Sequence, residues 1–291
     1  MIDLHTHSTA SDGKDSPALL VERAVKAGLS GIALTDHDTV SGLAEFLEAG
    51  KNAPLKTVPG VELSSRGNNR ELHIVGLFID PDSPVLAAFL EKMRQNRSKR
   101  NEEMLIRLNA MGFSLTKVEV EEEAEGESVG RPHFAQALIR KGYFKTSREV
   151  FEQCLKRGKR AYVPRELPSP GEAIAAVHEA GGLAIWAHPV SQNGGGGGRS
   201  HVKKCLAQLV PEGLDGVETY YSQFTPAQHE MVSSLAEEFA LLPSGGSDYH
   251  GGNIPEISLG IGTGNLAVPD GLLAALEERW LAKREEEEKS S

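Results

Sequence analysis

Nine residues of this chain could do metal chemistry together, and the first three come at once. The chain opens Met-Ile-Asp-Leu-His-Thr-His-Ser-Thr-Ala-Ser-Asp-Gly. Alternate residues of an extended segment share a face, so a strand over residues 2–7 turns His5 and His7 the same way. Asp12 follows in a Ser/Asp/Gly turn. Two imidazoles and a carboxylate on one short loop suit a borderline divalent cation such as zinc, manganese or iron. One His-x-His is a modest signal, and its weight here comes from recurrence downstream. His37 follows the apolar run 31–35, Glu62 ends another, and His73 lies in the run 72–78. His188 follows the run 182–186, and Asp248 with His250 closes the segment 240–250. A cation that keeps a position open for water uses about three or four protein ligands, so this set suits two or three ions, with a carboxylate such as Glu62 bridging. Metals about 3.5–4 Å apart can lower the pKa of bound water and hold both oxygens of an in-line phosphoryl displacement. Manganese is the expected ion, and zinc or iron fits the same donors.

These side chains need a scaffold that brings strand ends together. Apolar runs at 2–7, 31–35, 55–58, 60–64, 72–78, 182–186 and 216–220 read as strands. Helical stretches at 17–27, 40–49, 171–180, 226–239 and 270–284 alternate with most of them. That alternation predicts an α/β fold with a largely parallel sheet, whose strand ends share one mouth. Between about Pro84 and Pro170 the pattern changes. Residues 85–111 predict a long charged helix, and 131–141 and 147–156 two more, with no buried strand between them. The expected organisation is a metal-binding domain over 1–83 and 171–291, with a mainly helical insertion at 84–170 serving as a substrate cap.

Composition narrows the class. The chain has 291 residues, 39% of them hydrophobic, and a formal charge of −10. That charge argues against gripping long duplex nucleic acid. The acidic runs Glu119–Glu127 and Glu285–Glu288 read as solvated faces or a tail. No run of 18 or more apolar residues predicts a membrane helix, and no basic segment precedes an apolar stretch at the start, so a cytoplasmic location is expected. Cys154 and Cys205 are far apart and read as reduced thiols. The Gly194–Gly198 run lacks the Gly-Lys-Ser/Thr end of a phosphate loop and reads as a flexible connection.

The blocks DLHTHSTASDG, ALTDHDT, PGVELS, HIVGL, AHP and GSDYH, in this order, resemble the polymerase and histidinol phosphatase (PHP) superfamily. The resemblance covers both ends of the chain and implies a distorted seven-stranded βα barrel with a trinuclear metal centre. It assigns His5, His7, Glu62 and Asp248 to a first metal, Glu62, His73 and His188 to a second, and Asp12, His37 and His250 to a third. No ligand position is missing.

Arg-Gln-Asn-Arg-Ser-Lys-Arg at 94–100 and Gly-Arg-Pro-His-Phe-Ala at 130–135 are similar to the branch holding nucleoside 3′,5′-bisphosphate phosphatases and related 5′–3′ exoribonucleases. On a helix, Arg94, Arg97 and Arg100 would roughly align along one side, able to fork onto phosphate. The alternative is a solvated face partnered by Glu102 and Glu103. Arg131 and His133 open a helix, where a phosphate also finds the positive end of the helix dipole. The resemblance favours substrate contact for all five. Asp36 and Asp38 flank His37 and could orient it, as could Glu218 near the mouth. Tyr220 and Tyr221 stand where relatives often carry small or polar residues. His178, His201 and His229 read as structural, and Ser247 as a weak nucleophile candidate.

The leading expectation is a metal-dependent phosphoesterase that removes the 3′-phosphate of nucleoside 3′,5′-bisphosphates such as pAp. Metal-activated hydroxide would attack phosphorus, and Asp248, His250 and Glu62 would carry the catalytic roles. The alternatives are a 5′–3′ exoribonuclease on short RNA, a histidinol-phosphate phosphatase, and a non-catalytic metal-binding module. The expected partner is a small nucleotide or short oligoribonucleotide, with no membrane. The oligomeric state stays open.

Overall fold

Each apolar run ahead of a candidate ligand forms a strand of one seven-stranded sheet. The computed structural model describes residues 1–67, 70–124, 129–191 and 197–290. The strands are β1 (Ile2–Asp3), β2 (Gly31–Leu34), β3 (Lys56–Gly67), β4 (Arg70–Leu77), β5 (Leu183–Trp186), β6 (Gly216–Tyr221) and β7 (Leu242–Gly246), neighbours in chain order. Past the two ends of that order, Leu4 N donates to Gly245 O, Asp248 N to His5 O and His7 N to Tyr249 O. These bonds link the segments that continue β1 and β7, so the sheet nearly closes into a barrel.

The sheet is mixed. β1, β2 and β3 are parallel, as are β5, β6 and β7, while β4 runs antiparallel to both its neighbours. That reversal answers a question the sequence left open. His73 stands near the start of its strand, whereas the other candidates follow theirs. In a reversed strand the start lies at the same end of the sheet as its neighbours' carboxyl ends. A second difference is that 55–58 and 60–64 are one strand, β3, despite Pro59. The ladder with β2 ends at Leu34↔Pro59 and the ladder with β4 begins at Gly60↔Leu77, so the missing N–H falls at the handover.

The helices are α1 (Pro17–Lys26), α2 (Leu43–Gly50), α3 (Pro84–Ala110), α4 (Lys117–Glu121), α5 (Arg131–Arg140), α6 (Ser147–Val150), α7 (Pro170–Glu179), α8 (Arg199–Leu209), α9 (Pro226–Glu238) and α10 (Asp270–Ser290). Three begin the same way. Ser16, Ser169 and Thr225 accept from the third backbone N–H beyond them, and a proline fills the first helical position. Such a cap contributes on the order of 1 kcal/mol. α6 continues into a π-helical turn over Phe151–Leu155. α8 is not among the helices expected from the sequence, although Val202, Cys205, Leu206 and Leu209 recur at helical spacing and are buried.

The chain divides into two compact units, Met1–Phe89 with Pro168–Ser291, and Leu90–Leu167. The first packs Ile2, Leu4, Val58, Leu77, Ile185, Val268 and Leu276 into its core. The second has its own core around Met104, Leu108, Phe134, Leu138, Val150 and Leu155. Cys154 and Cys205 are both buried free thiols. Part of the Gly194–Gly198 run, and residues 125–127 of the acidic run, lie outside the described residues. Among the described residues no helix is long and apolar enough to cross a membrane.

Candidate metal centre

Strand ends deliver the nine side chains to one place. Leu4 and Thr6 alternate with His5 and His7, so both imidazoles face inward and are buried. Parallel pairing continues beyond β2, with Glu62 N donating to Asp36 O and Asp38 N to Glu62 O, which sets His37 beside Glu62. Glu62 is fully buried and stands among five imidazoles. Its Oε1 lies 2.8 Å from His73 Nδ1, 2.9 Å from His188 Nε2 and 3.4 Å from His5 Nε2. Its Oε2 lies 2.7 Å from His37 Nδ1 and 3.4 Å from His7 Nε2. Asp248 Oδ1 is 3.1 Å from His7 Nε2 and 3.5 Å from His5 Nε2. Asp12 completes the far side, 3.2 Å from His250 Nε2 and 3.8 Å from His37 Nε2.

The donor atoms fall into four overlapping sets: His7, Asp12, His37 and His250; His5, Glu62 and His188; His5, His7 and Asp248; and His37, Glu62 and His73. His5 Nε2, both nitrogens of His7, His37 Nδ1 and Glu62 Oε2 are buried and make no hydrogen bond. Leaving such atoms without a well-formed hydrogen bond costs about 1–3 kcal/mol each, and a shared divalent cation would satisfy several together. Imidazole with carboxylate is also the right donor chemistry. The residues fit a multi-ion centre.

Electrostatics point the same way. Burial works against charge on Glu62, but His37, His73, His5 and His188 hold its pKa well below the ordinary carboxylate value. Burial likewise opposes charge on His73 and His250, yet Glu62 pushes His73 up to about 10, and Asp12 with Asp248 pushes His250 up to about 9. His7 goes the other way, to about 3, through burial and the neighbouring His250 and His37. The carboxylates are therefore ready to ligate, while several imidazoles must first give up a proton.

Surrounding groups fix the orientation of these side chains. Glu218 accepts from His188 N at 2.7 Å and lies 3.2 Å from His5 Nδ1. Tyr221 Oη donates to Asp248 Oδ2 at 2.9 Å, and Ser191 Oγ lies 3.0 Å from His188 Nδ1. Asp36 grips the opening loop, accepting from Ser8 N, Ser8 Oγ and Ser11 Oγ, and Asp38 accepts from Ser64 N and Oγ. Both aspartates thus pin loops beside the clustered side chains. Ser247 donates its hydroxyl to buried Asp3, which removes the signal for a nucleophile. His178, His201 and His229 are engaged with Asp215, Cys205 and the Thr219 carbonyl. Ser191 was missed in the sequence because nothing in its own segment marks it.

The arginines lie in the second unit and do not share one helix face. Arg94 is exposed and forked onto Glu91 at 2.7 and 2.8 Å. Arg97 is half-buried, and Arg100 is only 6% exposed. Three residues turn a helix through about 300°, so each arginine is rotated roughly 60° from the last. Glu103 partners Arg107 instead. Arg100 packs Nη1 against Met104 Sδ at 3.1 Å, and its Nε has no hydrogen bond. Burial, with Arg165, Arg97 and Arg131 nearby, pushes its pKa down to about 9. The Arg131 guanidinium lies 5.8 Å from the ring centres of both Phe151 and Tyr162. His133 Nδ1 accepts from Gly130 N, closing the start of α5. Arg165 was not singled out in the sequence; its signal is the basic–aromatic run Arg-Ala-Tyr-Val-Pro-Arg at 160–165.

Comparison with known proteins agrees with this geometry. The PHP domain family model matches residues 3–156. The chain belongs to the PHP family. A 5′–3′ exoribonuclease of Haemophilus influenzae is 38% identical over 85% of this chain and 89% of that protein. A 3′,5′-nucleoside bisphosphate phosphatase of Chromobacterium violaceum is 34% identical over 86% and 87%. A Bifidobacterium adolescentis structure assigned as a metal-dependent phosphoesterase superposes with a TM-score of 0.78 at 31% identity, covering 94% of each chain. This PHP protein is a metal-dependent phosphoesterase, a hydrolase of phosphate esters.

Proposed function

We propose that this PHP phosphoesterase removes the 3′-phosphate of nucleoside 3′,5′-bisphosphates. The observation that carries the substrate choice is Arg100, a buried guanidinium with an unpaired Nε among Arg97, Arg131 and Arg165. Guanidinium forks suit phosphate, and a 3′,5′-nucleoside bisphosphate phosphatase is among the relatives. A substrate with a second phosphate has a use for such a cluster.

His5, His7, Glu62 and Asp248 would hold one divalent cation, Glu62, His73 and His188 a second, and Asp12, His37 and His250 a third. Such cations supply Lewis-acid charge for phosphoryl oxygens and lower the pKa of the attacking water. Glu62 would be shared between the first two ions, and its carboxylate stays ionised. His250 donates Nδ1–H to the Asp248 carbonyl, which leaves Nε2 for ligation. With Asp248 ionised and both His250 nitrogens engaged, the leaving 3′-oxygen takes its proton from solvent water.

A second reading is 5′–3′ exonuclease action on short RNA, since a 5′-phosphorylated end suits the same arginines and the Haemophilus influenzae relative is an exoribonuclease. The deciding experiment gives manganese-loaded protein pAp, histidinol phosphate and a 5′-phosphorylated short RNA, with His7→Ala as the inactive control. Loss of only the 3′-phosphate from pAp is expected, and Arg100→Leu should raise KM for pAp at least about tenfold. Mononucleotide release from RNA at higher kcat/KM would transfer the assignment to the nuclease, and unchanged KM in Arg100→Leu would remove the arginine argument.

A further inference from the structure

Six strands carry the nine clustered side chains within them or on the segments just beyond their ends. β6 carries none. It contributes Glu218 and Tyr221, respectively 3% and 6% exposed, and both touch the cluster. In a flat strand, residues three apart face opposite sides of the sheet. Here the pairing with β7 slips: Glu218 pairs Ser244 and Tyr220 pairs Gly245, which leaves Thr219 as an extra residue. A bulge of this kind re-aims the side chains around it. The Thr219 carbonyl accepts from His229 Nδ1 of α9 at 2.8 Å, and the His229 ring packs 4.3 Å from that of Tyr220.

The groups that β6 holds are under strain. His188 has φ +31° and Asp248 φ +58°, left-handed conformations that non-glycine residues adopt at a cost and keep only when their surroundings enforce them. Glu218 Oε2 takes the His188 N–H, and its Oε1 faces His5 Nδ1. Tyr221 Oη occupies Asp248 Oδ2, so the carboxylate offers Oδ1 to the imidazoles. Burial, reinforced by Asp248 and Glu218, holds the Tyr221 hydroxyl pKa far above its usual value, so it remains a donor.

We propose that β6 is the positioning strand of the centre. The Thr219 bulge, braced by His229, turns Glu218 and Tyr221 inward, where Glu218 fixes the His5 ring and the His188 backbone and Tyr221 limits Asp248 to one ligating oxygen. Glu218, Tyr221 and His229 do not ligate a cation themselves. The inference rests on the cluster being the metal centre of the reading above.

The test titrates chelator-stripped full-length protein with Mn2+, following the free ion by electron paramagnetic resonance, alongside kcat and KM on a phosphate ester. Tyr221→Phe and Glu218→Gln preserve shape, and each should weaken the tightest Mn2+ binding by about 10–100-fold and lower kcat, leaving KM within roughly twofold. His229→Leu, outside the cluster, should shift affinity in the same direction by a smaller factor. Wild-type Mn2+ affinity in all three variants would overturn the inference alone, even if their melting temperatures fell. No Mn2+ uptake by the wild type would remove the metal centre itself, and this inference with it.

Discussion

At the residue scale, Glu62 and its imidazoles exist in a balance that only cations and protons can tip. His73 and His250 have pKa values pushed up to about 10 and about 9, above the ordinary imidazole value. Below those values both rings carry the proton that a ligand nitrogen must lose. Metal uptake at pH 7.5 should therefore release protons, and apparent affinity should rise with pH, on the order of tenfold per unit for each proton displaced. Calorimetric Mn2+ titrations in buffers of different ionisation enthalpy count those protons; zero release at pH 7.5 would contradict the charge state argued for these rings. Ligand types and their spacing were readable from the chain, because alternation in a strand is a local property. The fate of Arg94 and Arg100 was not. Both occupy one helix, and the difference between a solvent-facing fork on Glu91 and a buried guanidinium depends on which side the second unit's core covers.

At the scale of elements, the closure between the segments continuing β1 and β7 places His5 against Asp248, and it needs close backbone approach. A Cβ on Gly246 would lie 2.4 Å from both Cβ and N of His5. Gly246→Ala should cost about 1–3 kcal/mol by overpacking and push His5 away from the cluster. Denaturant unfolding should show that loss, with Mn2+ affinity falling beside it; a fully stable variant with native affinity would mean that the seam tolerates separation. The caps at Ser16, Ser169 and Thr225 were legible, since a Ser/Thr-Pro pair announces a helix start from adjacent residues alone. The reversal of β4 and the bulge in β6 were not, because direction and register are properties of pairs of strands. Tyr221, left without a clear role by its own segment, acquires one only when Asp248 arrives beside it.

At the scale of the whole molecule, the centre ties together the opening loop, the middle strands and the last turns of one unit. A cation that binds only the folded state stabilises it by about 2.7 kcal/mol at a concentration of 100 Kd. Chelation should therefore lower the melting temperature by roughly 5–10 °C, and Mn2+ should restore it. Scanning calorimetry on stripped and reloaded protein decides this, and coincident transitions would argue that the cluster holds no ion in solution. By itself the sequence determined the alternation of strands and helices, the helix caps and which side chains could ligate metal, because propensity, period and donor chemistry belong to neighbouring residues. Only the tertiary structure decided which strand runs backwards and which arginine is buried. Those outcomes depend on contacts between distant residues, such as His5 with Glu218 across 213 positions, that no local pattern encodes.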